Sequence, residues 1–207
     1  MNTDWAAEQL QTIRTLMERS ALYRRALAPV MTLAGAVAVV AGVAGWRLGL
    51  NTHGAFALHW MAVALAAMIL TMLLIRRQAF RAGEPFWSLP TRKVAQAAAL
   101  PLTAGAATTL LFLVLDLAPG FNSLLAVLWL LFYGFALNAA GFFMRRSIRL
   151  FGWLMAVYGM ILGFALFADN RFLATLNPHL LMGGLFGVPH LAYGAYLYLT
   201  EKPAETA

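Results

Sequence analysis

Polar positions punctuate this chain instead of alternating with apolar ones. From position 26 onward they collect in short clusters. Between the clusters run six apolar segments, at 26–46, 54–75, 94–115, 122–143, 150–167 and 178–199. Each is close to the ~20 residues an α-helix needs to cross ~30 Å of hydrocarbon. In lipid, backbone N–H and C=O groups must find partners within the chain, so segments of this kind are helical. The expected fold is all-α: a polytopic membrane helix bundle with six transmembrane helices, forming one domain over 26–199. The fifth segment is the shortest and is expected to tilt little or to meet a thinned bilayer.

Before position 26 the period changes. Trp5, Leu10, Ile13, Leu16, Met17 and Ala21 share one side of a helical wheel, and Asp4, Glu8, Gln11, Arg14, Thr15, Glu18 and Arg19 the other. Residues 1–25 are therefore expected to form a cytoplasmic amphipathic helix in the headgroup layer, or alternatively a docking surface for a soluble partner or second protomer. Its polar face mixes both signs, unlike a polybasic lipid-binding helix. A short tail, 200–207, closes the chain.

The basic residues orient the spans. Arg14, Arg19, Arg24 and Arg25 precede the first; Arg76, Arg77, Arg81, Arg92 and Lys93 lie between the second and third. Arg145, Arg146 and Arg149 lie between the fourth and fifth, and Lys202 follows the sixth. Only Arg47 and Arg171 fall on the other side. The positive-inside bias places both termini in the cytoplasm, with the bacterial inner membrane as the expected location. The halves then have opposite topology, as in many transporters, although their sequences do not match.

Composition sharpens this reading. The chain is 62% hydrophobic and 11% charged, against roughly a quarter charged in soluble domains. The net charge of +7 is accounted for by the basic loops, so a nucleic-acid partner is not expected. Without cysteine there is no disulfide, thiolate ligand or thiol nucleophile.

Among the connections, 76–93 holds Gly83, Pro85 and Pro90, which argue against helix, and Phe80, Phe86 and Trp87, which suit the headgroup layer. The run Ala118-Pro119-Gly120-Phe121-Asn122 reads as a turn with Asn122 as N-cap, and Asn177-Pro178 opens the sixth span in the same way.

Candidate chemistry concentrates in that sixth span, Gly183-Gly184-Leu185-Phe186-Gly187-Val188-Pro189-His190-Leu191-Ala192-Tyr193-Gly194. His190 lies about 18 Å from its start, near the bilayer centre, where an ionisable group needs a reason. Tyr133 and Tyr158 come out at similar depth and Asn138 slightly nearer the cytoplasm. These four could line a ligand-binding cluster, or His190 could be a neutral, hydrogen-bonded packing residue.

Small residues fill spans one, three and six. Ala38 to Gly42, Ala41 to Gly45 and Gly183 to Gly187 have the four-residue spacing that lets helix backbones approach, and Gly194 continues the last row. Packing within one bundle is the first reading and a homo-oligomer face the second. Pro101 and Pro189 fall inside spans and free the carbonyls of Ala97 and Leu185.

On the outer side His53, His59, His179 and Asp116 offer ligands for a metal, although their spacing matches no metal motif. A haem between His59 and His190 would need ligands at depths about 10 Å apart. No cofactor is expected. No acidic residue lies within a span, which removes the usual carboxylate relay of ion-coupled transport. There is no nucleophile elbow, zinc-protease helix or phosphate loop. Serine occurs only at Ser20, Ser88, Ser123 and Ser147, at or outside span ends.

Four short pieces, Leu16-Met17-Glu18-Arg19-Ser20, Gly83-Glu84-Pro85-Phe86-Trp87, Tyr133-Gly134-Phe135-Ala136-Leu137-Asn138-Ala139 and Gly187-Val188-Pro189-His190-Leu191-Ala192-Tyr193-Gly194, resemble a family of small six-span bacterial inner-membrane proteins to which no activity is assigned. The resemblance implies the six-span topology and draws attention to Asn138 and His190. The expected function is non-enzymatic: a binding or regulatory membrane protein working through its cytoplasmic helix and basic loops, with the bilayer and a cytoplasmic protein as partners. A small-solute permease with a midplane site around His190 is the alternative, and a metal or haem protein a weaker one.

Overall fold

The computed structural model describes residues 27–83, 85–115, 121–168 and 175–200. Six helices among them are long and apolar enough to cross a membrane. They are α1 (Leu27–Arg47), α2 (His53–Arg81), α3 (Leu89–Val114), α4 (Asn122–Ala140), α5 (Arg146–Phe167) and α6 (Pro178–Thr200). No strand occurs among the described residues. The amphipathic helix expected over 1–25, the tail from 201, Asp116, Asp169 and Arg171 lie outside them.

The helices alternate in direction. One end of the bundle gathers the turn after α1, the starts of α2, α4 and α6, and the last turns of α3. We call it the histidine end, because His53 and His179 sit there. The opposite, arginine end carries Arg76, Arg77, Arg81, Arg92, Lys93, Arg145, Arg146 and Arg149. Arg47 is the only described basic residue at the histidine end.

Several element ends differ from the sequence reading. Helix α2 continues through Arg76 and Arg77 to Arg81, and Gly83, at φ 65°, ends it. A glycine adopts that left-handed conformation without a Cβ clash. Pro90 begins α3 instead of breaking it, because a first-turn proline gives up an amide that has no helical partner anyway. Helix α5 starts at Arg146 and has 22 residues, so it is not short. At α4 the N-cap is Phe121, without a side-chain cap bond. Asn122 is employed elsewhere, as described below. Asn177 does cap α6, accepting from the His179 N–H at 2.9 Å.

In lipid the hydrophobic effect does not drive helices together, so close backbone packing must. Two antiparallel seams supply it. In the α1/α6 seam, a methyl at Gly35 would come within 2.8 Å of the Leu191 amide nitrogen, and one at Gly42 within 2.8 Å of the His179 carbonyl oxygen. Gly183 and Gly194 face Ala38 and Thr32 from the other side, and Gly187 abuts Gly35 and Val39. Gly35, Gly42, Gly183, Gly187 and Gly194 are thus occupied within the protein, whereas Gly184 faces away from the seam. Span three does not join a seam: a Cβ on Gly105 would meet only Phe132 at 3.4 Å. The second seam joins α4 to α5, where a methyl on Gly134 would approach the Ala156 nitrogen to 2.6 Å, and one on Gly152 the Asn138 nitrogen to 2.5 Å.

A π-turn at Gly183–Gly187 makes the α1/α6 seam possible. His179, Gly183, Gly187 and Leu191 are spaced four, four and four. In a regular α-helix the first and last would drift about 120° apart around the axis. A π-turn accommodates one extra residue and takes back about 100° of that drift. All four then face α1. The turn also precedes Pro189, absorbing the disturbance of the interior proline.

Two apolar clusters fill the bundle. Toward the arginine end Leu27, Met31, Leu130, Ile148, Phe151, Met155 and Leu197 pack together; toward the histidine end Ala41, Phe56, Trp60, Phe112, Leu125 and Met182 do. Phe186, carried by the π-turn, packs against both. Helix α2 contributes buried core residues at Phe56, Ala57, Trp60 and Ala79, and Val63 packs partly buried against the histidine-end cluster; no residue over 61–78 is fully buried.

Candidate functional site

The bundle holds two buried polar centres, each built on a histidine. At the middle of α6, His190 is 3% exposed. Its Nδ1 lies 2.5 Å from the Phe186 carbonyl oxygen, and its Nε2 lies 2.7 Å from the Tyr133 hydroxyl. A carbonyl can only accept, so Nδ1 carries the hydrogen. The Nε2 of the neutral ring then accepts, and Tyr133 donates. Phe151 of α5 meets the imidazole edge-on, with centroids 5.0 Å apart at 89°, and Tyr133 and Phe186 flank it at 5.3 and 6.5 Å. Every polar atom of the ring is used, and three helices contribute its walls.

Of the four residues expected to cluster here, two do. Asn138 is five residues from Tyr133, about 140° around α4, and its Nδ2 points to the Arg149 carbonyl at 3.5 Å. It ties the ends of α4 and α5 together. Tyr158 is 49% exposed on the outward face of α5, which is the lipid-facing side of a membrane bundle. Asn138 therefore sits near the end of α4 and Tyr158 on an outward face, and neither joins the His190 pair.

The histidine end holds the larger network. Helix α1 closes in a Schellman motif, with Gly49 at φ 64° donating to Trp46 O at 3.1 Å and Leu50 N–H to Gly45 O at 3.2 Å. That turn aims the Leu50 carbonyl inward, where His179 Nε2–H donates to it at 2.9 Å. His179 Nδ1 therefore accepts, taking the Trp60 indole N–H at 3.2 Å. His179 is fully buried, wedged against Gly45 and Gly42 of α1. His59 packs edge-on to it, centroids 5.2 Å apart, and donates from Nε2 to the Ala41 carbonyl at 3.1 Å.

One step away, Asn122 Nδ2 donates to the Asn51 carbonyl at 3.3 Å, leaving Oδ1 to accept from His53 Nδ1 at 2.5 Å. His53 Nε2 is buried without a hydrogen-bond partner among the described residues. Asn122, 1% exposed, thus fastens the start of α4 to the start of α2. A further clasp, not foreseen in the sequence, joins α3 to α4: buried Thr109 donates to Gly105 O at 3.0 Å and accepts from Trp129 Nε1 at 2.8 Å. Thr109 is one of several threonines in its span, so nothing in the sequence singled this pair out.

As a metal site the histidine end fails among the described residues, where no three His, Cys, Asp or Glu side chains converge. The physical reason is that both nitrogens of His179 are already in protein hydrogen bonds and His53 is turned to Asn122; Asp116 lies outside the described residues. A haem on His59 and His190 fails likewise, because His190 has no free nitrogen to ligate iron.

Both centres link different helices and turns through hydrogen bonds. All eight acidic residues of the chain lie outside the described residues, so neither histidine has a described carboxylate with which to form a catalytic or proton-relay pair. Comparison with models of protein families, with curated proteins and with solved structures finds no match.

Proposed function

We propose that this is a non-enzymatic binding or regulatory protein of the bacterial inner membrane, with both chain ends cytoplasmic and its working surface at the arginine end. The packing of the interior carries this reading. Both glycine seams lack room for a methyl group, and His190 is enclosed with its two nitrogens occupied. A protein closed in this way acts through its outside. The cytoplasmic assignment rests on 13 of the 15 basic residues falling on one side of the spans.

The outside has a distinct working face. Arg76, Arg77, Arg81, Arg92, Lys93, Arg145 and Arg146 are all exposed there, as are Phe80, Trp87, Phe142 and Phe143. Photo-crosslinking from position 80 of the full chain in membranes tests the proposal, with position 164, exposed on α5, as reference. Adducts to a discrete protein or lipid from position 80, absent from 164, are expected. Identical adduct patterns from both positions would refute the reading. A permease would need a path past His190; proteoliposome flux of small solutes that is lost in His190→Leu would establish that alternative instead.

A further inference from the structure

We infer that the arginine end is a binding surface for anionic phospholipid headgroups, centred on the corner where the start of α3 meets the α4–α5 turn. The inference rests on the proposed function above and names its partner.

The last turns of α2 and the first turn of α3 carry Arg76, Arg77, Arg81, Arg92 and Lys93, with one acidic residue, Glu84, in the sequence between them. Arg145, just before α5, and Arg146 and Arg149 in its first turn come with no acidic residue. Helices α3 and α5 both start here, and neither has an acidic residue in its first turn. The field at this corner is therefore positive from side chains and from helix ends together.

Two cations are held in place by aromatic rings. Lys93 Nζ lies 5.9 Å from the centre of the Phe143 ring, and the Arg149 guanidinium 5.1 Å from that of Phe142. These rings are neighbours on one turn, so α3 and α5 present their charges side by side. Phe142 is 67% and Phe80 88% exposed, at the level of the basic residues. Aromatic rings beside arginines suit the boundary between acyl chains and phosphates.

A solvated basic rim would need only the charges. Exposed phenylalanines are unfavourable in water and at home in the acyl region, so the combination selects a lipid over a soluble acidic protein. Each basic group near an anionic membrane surface adds a modest attraction, and the eight residues here make a selective surface out of individually weak contacts.

Native mass spectrometry of the full chain, mixed in mild detergent with equal phosphatidylglycerol and phosphatidylcholine, tests this. We expect several-fold more phosphatidylglycerol retained. The preference should vanish in Arg92→Gln/Lys93→Gln/Arg149→Gln and persist in Arg47→Gln at the opposite end. In the wild-type protein it should also weaken as salt is raised, since exposed charges are screened; this second readout does not depend on the variants folding. Equal retention of both lipids by the wild type, or a preference indifferent to salt and to all three substitutions, would overturn the inference. If, in addition, position 80 still crosslinks a discrete protein, the proposed function stands and the lipid assignment alone falls.

Discussion

His190 and His179 are the same residue on the same helix, eleven positions apart, and they carry their hydrogens on opposite nitrogens. His190 is held by its own helix at Nδ1 and by α4 at Nε2. His179 is held by the turn after α1 at Nε2 and by α2 at Nδ1. The first bolts two helices together halfway along. The second fastens a loop and a helix to the place where α6 begins. In each case a backbone carbonyl selects the tautomer, and the aromatic partner follows from it. The role of each ring is thus set by which carbonyl reaches it, not by the residue type.

The comparison breaks most severely at Gly45. A Cβ there would run into the His179 ring, so Gly45→Leu pushes the ring off both of its partners. We expect no monodisperse protein from size-exclusion chromatography. Gly184→Leu, where a Cβ meets nothing within 4 Å, is expected to yield folded protein.

At the other centre His190→Leu strands the Tyr133 hydroxyl and should cost ~1–3 kcal/mol, the usual penalty of an unpaired buried polar group. Adding Tyr133→Phe should restore much of that loss. Unfolding titrations in detergent measure both, and a double variant as unstable as the sum of the singles would show that the pair is not one unit.

Trp60→Phe removes the indole donor to His179 and part of a buried ring while leaving the Leu50 bond in place, so about 1–2 kcal/mol is expected. Tyr158→Phe, on the outward face, should stay within about 0.5 kcal/mol. A measurement that perturbs nothing reads the comparison directly: ¹⁵N spectra of histidine-labelled protein should show His190 protonated at Nδ1 and His179 at Nε2. The same tautomer at both would contradict the carbonyl assignments.

Much of this was legible in the residues. Length and apolarity were enough to recover six helices, because the bilayer imposes both. The four-residue spacing at Gly183 and Gly187 announced a close approach, and the depth of His190 relative to Tyr133 was right. What failed was rotation. Asn138 and Tyr158 point elsewhere, and a count along the chain says nothing of azimuth until neighbouring helices are placed. The α4/α5 seam was missed although Gly134 and Gly141, and Gly152 and Gly159, repeat at seven; the more abundant alanines of span three drew attention away. Asn122 followed the rule for a helix start, yet tertiary partners at His53 and Asn51 outweighed the local cap.

Helix α2 is pinned near its start by Phe56 and Trp60, with Val63 packed beside them, and near its end by Ala79, and between Val63 and Ala79 it has no buried residue. Over residues 64–75 no side chain is buried or packs against either apolar cluster, so these side chains largely exchange one oily surrounding for another when the protein assembles and gain little stability from fit. That stretch is free to drift in sequence so long as it stays greasy, whereas the three pinning positions are not. A saturation library across α2 would therefore trace a permissive plateau with intolerant points at both shoulders.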